Sequence, residues 1–214
     1  MVVDKAKERG IEIMKKEKML ELLNEFTTQK DYEKLEKLKD ALVDDIRTEV
    51  SKENGNKSKD ISIIKRIVKE KKINEKFGKY NEFDYNGKNY KGFLEGHYIL
   101  ASEKDFGYES NCEDKFKVEN MFTNFDNDED IRIKVDLVDL KTFIKIRTDK
   151  EKPYVMEIDG FKIACNPKFL IDCLTFCETD TIYCTNKVSP MFMKNNDDMD
   201  KIGMVLPIRI PNTI

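Results

Sequence analysis

The sequence is poor in the groups that mark most enzymes. It has 214 residues and a single histidine, His97, set in the apolar stretch GFLEGHYILA, where satisfied partial burial is the expectation and catalysis is not. No Ser/His/Asp set can be built around it, and no GKS/T, HExxH or GxSxG occurs. Five cysteines (Cys112, Cys165, Cys173, Cys177, Cys184) make an odd set without a CxxC pair, which argues against a disulfide framework. Cys173 and Cys177 could share a helix face. Zinc would need Cys165 and Cys184 as well, and small buried hydrophobes are the better expectation, so neither metal nor cofactor is expected. Apolar runs fall far short of the roughly 18 residues of a membrane span. No charged-then-apolar leader opens the sequence, so a soluble, cytoplasmic protein without a membrane partner is expected.

What is present is charge and aromatic bulk. Charged residues are 38% of the chain, 39 basic against 42 acidic, for a formal net charge of −3, and 13 Phe with 8 Tyr exclude a wholly disordered chain. Residues 1–55 read as helix. Ile11, Met14, Met19, Leu22, Leu23 and Phe26 keep a helical period. After a break at TTQKD (27–31), Leu35, Leu38, Leu42, Ile46 and Val50 resume it, with Asp31 as N-cap. The polar SKENGNKSK (51–59) reads as a linker. Beyond residue 80 the pattern is that of strands: Asn86-Gly87 and Asp159-Gly160 mark hairpin turns, and IRIKVDLVDLKTFIKI begins as a strand and finishes as a short helix. NPKFLIDCLTFC starts a helix, with Asn166 as N-cap and Pro167 at the first helical position. TIYCTN, SPMFMK and KIGMVLPIRI then read as strands. The class is α+β, helices laid on an antiparallel sheet.

The near-neutral total conceals a polarised chain. Residues 57–79 carry nine basic and three acidic side chains, whereas residues 103–139 carry five basic and twelve acidic. In DISIIKRIVKEKK, Ile61, Ile64, Ile67 and Val68 share one helix face, and Lys65, Arg66, Lys69 and Lys72 fall on an arc of about 120° beside it. Such a run is ordinarily a solvated face, and the sharper reading is contact with nucleic-acid phosphate. The acidic Asp126, Asp128, Glu129 and Asp130 lack the glycine and spacing of a calcium loop, so a solvated loop is the expectation, with a metal-dependent nuclease as the remote alternative.

Three segments together resemble the last half-domain of the bacterial replicative sliding clamp, the polymerase III β subunit family. That family has a strand leading into N-x-x-[YF]-L-x-D-x-L, then a strand bearing V-S-[SP], and a terminal P-[MVI]-R-[LI]. Here they are Asn166, Phe169, Leu170, Asp172 and Leu174; Val188, Ser189 and Pro190; Pro207, Ile208, Arg209 and Ile210. The likeness covers about residues 155–210. Upstream it thins to GFLEGHYILA, where Glu95-Gly96 stands for the family's Asp-Gly and its arginine is replaced by His97 or Tyr98. It implies one DNA-clamp-like domain of paired βαβββ halves over residues 56–214, behind a helical arm (1–55) without a counterpart. Abundant Lys, Asn and Ile would suit a phage or prophage clamp-like protein.

The resemblance implies a non-catalytic processivity or tethering factor in DNA replication. Duplex DNA would meet Lys65, Arg66, Lys69 and Lys72 without sequence preference. Short linear peptides of a DNA polymerase or other replication proteins would occupy a pocket of Phe169, Val188, Pro190, Leu206, Pro207, Ile208 and Arg209, residues that ordinary core packing would also explain. One such domain cannot close a ring, so a homo-oligomer is expected. The alternative is a clamp-fold interaction module or replication regulator that never encircles DNA.

Overall fold

The computed structural model describes residues 16–21, 24, 32–70, 79–111, 122, 131–158, 160–186, 188–195 and 199–209. Lys72, Cys112, Asp31 and the acidic residues 126–130 lie outside them. They form an α+β chain in two compact units, residues 1–61 with 105–108, and residues 62–104 with 109–214.

The first unit is built on helix α1 (Tyr32–Glu53) and the start of helix α2 (Ser58–Glu70). The expected linker at 51–59 is instead a tight corner. Helix α1 runs on through Glu53 and closes in a Schellman motif: Asn56 N–H donates to Ser51 O and Gly55 N–H to Lys52 O, both at 3.0 Å. Gly55, at φ +76°, takes the left-handed position that this cap demands. Polar composition misled here because the polar groups are used locally: Asn56 is buried and its Nδ2 donates to Asp105 O at 2.5 Å. The 105–108 segment docks on α1, with the Arg47 guanidinium 4.6 Å above the Tyr108 ring. A Cβ at Gly107 would come within 3.2 Å of Arg47 backbone atoms. The stripe on α1 is only partly used, since Leu38 remains exposed.

In the second unit, two αβββ runs lie edge to edge. The first is the rest of α2 with strands β1 (Asn81–Tyr85), β2 (Lys88–Leu94) and β3 (Tyr98–Ser102). Strand β4 (Ile131–Lys134), helix α3 (Leu137–Ile146) and the hairpin β5 (Tyr154–Ile158) and β6 (Phe161–Cys165) follow. The second run is helix α4 (Pro167–Phe176) with β7 (Thr181–Cys184), β8 (Met191–Lys194) and β9 (Lys201–Val205). One antiparallel sheet has the order β1-β2-β3-β9-β8-β7-β4, and β5-β6 stand apart. The runs meet where β3 pairs with β9, Tyr98 opposite Val205 through Ser102 opposite Lys201. Strand β6 leads into α4, which completes a βαβββ order for the second run. The second run thus has the expected βαβββ order, whereas the first is αβββ, with no strand ahead of α2 among the described residues.

Local chemistry sets each element. Asn86 and Gly87 both have positive φ, as a two-residue hairpin turn requires. Asn166 Oδ1 accepts from Lys168 N–H at 3.0 Å with Pro167 behind it, and Asp136 caps α3 through Val138 and Asp139 N–H. Both sheet faces are covered, so β3 and β9 are buried at every residue. On one face, Phe83, Tyr90, Ile99, Phe122, Phe192 and Met204 form the core, with Phe122 stacked 5.4 Å from Phe83. On the other face α4 lies so close to β9 that a Cβ on Gly203 would stand 3.2 Å from Cys177 Sγ and 3.4 Å from Cys173 Cβ.

The end of α4 is unusual. Thr179 N–H donates to Leu174 O and Glu178 N–H to Thr175 O, a second Schellman cap, yet the left-handed residue is Glu178 at φ +52° rather than glycine. That conformation costs a non-glycine residue about 1 kcal/mol. The carboxylate offsets it by reaching Lys201 Nζ at 2.7 Å, a lysine whose side chain is only 5% exposed and whose ammonium also lies 5.5 Å from the Phe176 ring.

The packing makes Gly203 a steric gate. Gly203→Val should force α4 off the sheet and destabilise the chain by about 2–4 kcal/mol in urea unfolding. At Gly160, where the turn is open but φ is +79°, the same change should cost only the strain of the left-handed backbone, about 1–2 kcal/mol. A smaller loss at Gly203 than at Gly160 would contradict the close approach of α4 to β9.

Candidate functional site

Two surfaces collect the residues singled out by sequence. The first is the face of α2. Ile61, Ile64 and Ile67 are buried as expected, and so is Ile63, which the i, i+3, i+4 stripe leaves out. Val68 is half-buried. Lys69 is exposed, whereas Lys65 is half-buried, so the cations are not uniformly presented. Arg66 donates to the Asp172 carboxylate on α4, with the two side chains 50% and 13% exposed. That contact joins two elements remote in sequence, and periodicity carries no signal for it.

The second surface starts at Phe169. Its half-buried ring stacks on Tyr98, centroids 4.6 Å apart and planes 18° apart, and on His97 at 6.0 Å and 14°. His97 is not partly buried as expected. It sits exposed in the turn between β2 and β3, beside Gly96 at φ +52°, and its imidazole lies along an aromatic neighbour. Its carbonyl accepts Leu206 N–H at 2.9 Å, and Ala164 O on β6 accepts Ile208 N–H at 2.7 Å. Alternate N–H groups of residues 206–208 therefore tie the segment after β9 to the turn before β3 on one side and to β6 on the other. Leu206 and Pro207 are half-buried, and Ile208 and Arg209 are exposed. Val188 and Pro190 sit in the turn between β7 and β8, which Ser189 Oγ organises by accepting Thr185 and Asn186 N–H. Val188 is 61% exposed. Phe169, His97 and the terminal segment thus form one continuous rim.

Tyr98, under Phe169, has its phenol pushed up by burial and by the neighbouring Asp172 carboxylate. It stays neutral and serves as a flat apolar floor.

The thiols take structural positions. Cys165, Cys173, Cys177 and Cys184 are all buried, and none of the four is in a disulfide. Cys173 Sγ lies 3.9 Å from Met204 O and Cys177 Sγ 3.7 Å from Met193 O, so α4 rests on the sheet through sulfur. Among the described residues no three His, Cys, Asp or Glu side chains converge as a metal would need. Among them too, no helix is long and apolar enough to cross a membrane.

No known family's sequence profile matches the chain, and no curated protein matches it. Solved structures do. A protein assigned as a DNA polymerase III β subunit from Eubacterium rectale aligns over 60% of this chain and 56% of its own, at 17% identity and a TM-score of 0.44. The β sliding clamp of Caulobacter crescentus aligns over 61% and 57%, at 10% identity and 0.44. That of Helicobacter pylori, solved with a DNA ligase peptide, aligns over 57% and 41%, at 13% and 0.33. The chain matches little more than half the length of the first two.

The buried sulfurs give a pH dependence. Burial pushes the Cys165 thiol up to about 12 from an ordinary 9.0, and Cys173 well above it. Above pH 9 the unfolded chain releases these protons while the folded chain retains them, so the unfolded state binds fewer and stability falls. Stability should be flat in this respect below pH 9 and decline from 9 towards 12. Urea unfolding of wild type and Cys165→Ala across that range checks it, the variant losing less per pH unit.

Proposed function

We propose that this chain is a sliding-clamp-like processivity or tethering factor of DNA replication, of the phage or prophage kind and acting in the cytoplasm. It has no catalytic activity of its own. It works as a homo-oligomer, holds duplex DNA by phosphate contacts that do not read sequence, and docks short linear peptides of a polymerase or other replication proteins. The observation that carries this reading is α2: four isoleucines anchor it, and Lys69 faces water beside the half-buried Lys65 in a chain that is acidic elsewhere. Phosphate attraction is the sequence-independent part of DNA affinity, as a sliding contact requires.

The proposed domain (56–214) supplies the two joined αβββ runs, and the proposed pocket is the rim of Phe169, Leu206, Pro207, Ile208 and Arg209, extended by Val188 and Pro190. Apolar anchors in a row suit an extended peptide. A specific observation favours the second reading, an interaction module that does not encircle DNA. Arg66 is already engaged by Asp172, which lowers the charge available to phosphate.

Two experiments separate the readings. The oligomer should be retained on circular duplex DNA and slide off linear DNA. Lys65→Glu, Arg66→Glu, Lys69→Glu and Lys72→Glu together should abolish binding, each lost contact removing about 0.9 from the log–log salt slope. Absence of DNA binding at low salt in every oligomeric state would leave the interaction module. For the pocket, cutting the chain after Val205 preserves the pairing of β9 and removes Leu206, Pro207, Ile208 and Arg209 from the rim, so binding of a polymerase-type clamp peptide should disappear. A folded truncation that binds this peptide as the full chain does would refute the pocket.

A further inference from the structure

The arc of cations on α2 is not uniform, and its odd member is Arg66. At about 100° per residue, Lys69 lies some 40° from Lys65 and 60° from Arg66, which puts Arg66 at the border of the arc. There the neighbour is α4, and Asp172 receives the guanidinium. The pair is asymmetric: the Asp172 side chain is 13% exposed and that of Arg66 50%. A carboxylate so far out of water must be compensated, because an unpaired charge there loses its hydration with nothing in return. It stands beside the buried Tyr98, whose phenol it helps to push up. Moving Arg66 to an incoming phosphate would break this ion pair and bring two anions together, while a phosphate contact at the wet surface returns little. The balance therefore favours the internal pair.

We propose that Asp172 masks Arg66, holding its guanidinium to α4 so that α2 offers a polyanion its lysines and withholds its arginine. The inference rests on the duplex-DNA reading above and names what regulates that surface. Asp172 is a positioning residue that sets the ceiling on affinity per domain, a useful limit where a contact must stay loose. In this respect Arg66 belongs to the seam between two helices rather than to the DNA-facing set.

The test is duplex-DNA binding by the full chain as a function of salt, each variant checked for folding by circular dichroism. Arg66→Gln bares the Asp172 carboxylate and should weaken binding by repulsion with an unchanged slope, whereas Lys69→Gln should lose about 0.9 of slope. Asp172→Asn should tighten binding by about three- to ten-fold and steepen the slope. Adding Arg66→Gln to it should cancel the gain, and the charge-matched Asp139→Asn should give a smaller one. If Arg66→Gln lowers the salt slope as Lys69→Gln does, or if Asp172→Asn matches Asp139→Asn, masking is wrong. Should Asp172→Asn fail to fold, the comparison of Arg66→Gln with Lys69→Gln decides by itself. Should wild type bind no DNA, binding gained by Asp172→Asn supports masking. If neither binds, the tethering reading fails, and phenylglyoxal labelling of Arg66 decides this inference separately: slower labelling in wild type than in Asp172→Asn supports it, and equal rates overturn it.

Discussion

The pairing of β3 with β9 joins two αβββ runs that neither strand set could stabilise by itself. Leu100 faces Gly203 across this seam, and the missing side chain at Gly203 is what lets α4 descend onto the sheet through Cys173 and Cys177. Once α4 is seated, Phe169 is carried over Tyr98, Asp172 is carried to Arg66, and Glu178 is placed where it can answer the buried Lys201. On the opposite face the same two strands supply Ile99 and Met204 to the aromatic cluster closed by Phe122. A three-stranded piece would bury one face poorly; the joined sheet buries both.

Much of this was legible because it is local. Caps, turns and amphipathic periods depend on neighbours within a few residues. Asn166, Asn86-Gly87 and the isoleucines of α2 therefore declared themselves, as did the strand that passes into helix α3 through its Asp136 cap. What was not legible is non-local or conformational. The corner at Gly55 looked like a linker since its polar residues resemble a solvated loop, while their groups satisfy a helix end and a distant carbonyl. His97 lay in an apolar run that suggested burial, but the alternation of a tight turn placed it outward.

The candidate surfaces divide the same way. Residues 206–208 could be named in advance, but not that their backbone is shared between His97 and Ala164, because such pairing links the turn before β3, strand β6 and the terminal segment across the fold. The cationic arc could be drawn on a helical wheel, yet the wheel has no second helix on it. Asp172 changes the meaning of Arg66 only once α4 is in place.

The β3–β9 seam also dictates an order of events during synthesis. Strand β3 is apolar and buried throughout in the finished sheet, and the strand it pairs with is made only after β4 to β8 have been added. Until then its edge and the aromatic face beside it have no native cover, and loop closure over such a separation is slow. A nascent chain paused between these two strands would present a sticky, half-built sheet, the kind of surface that chaperones engage and that otherwise pairs with a second copy. All five residues of YILAS are buried, so a charged substitution in it would penalise the half-built sheet and the finished one alike.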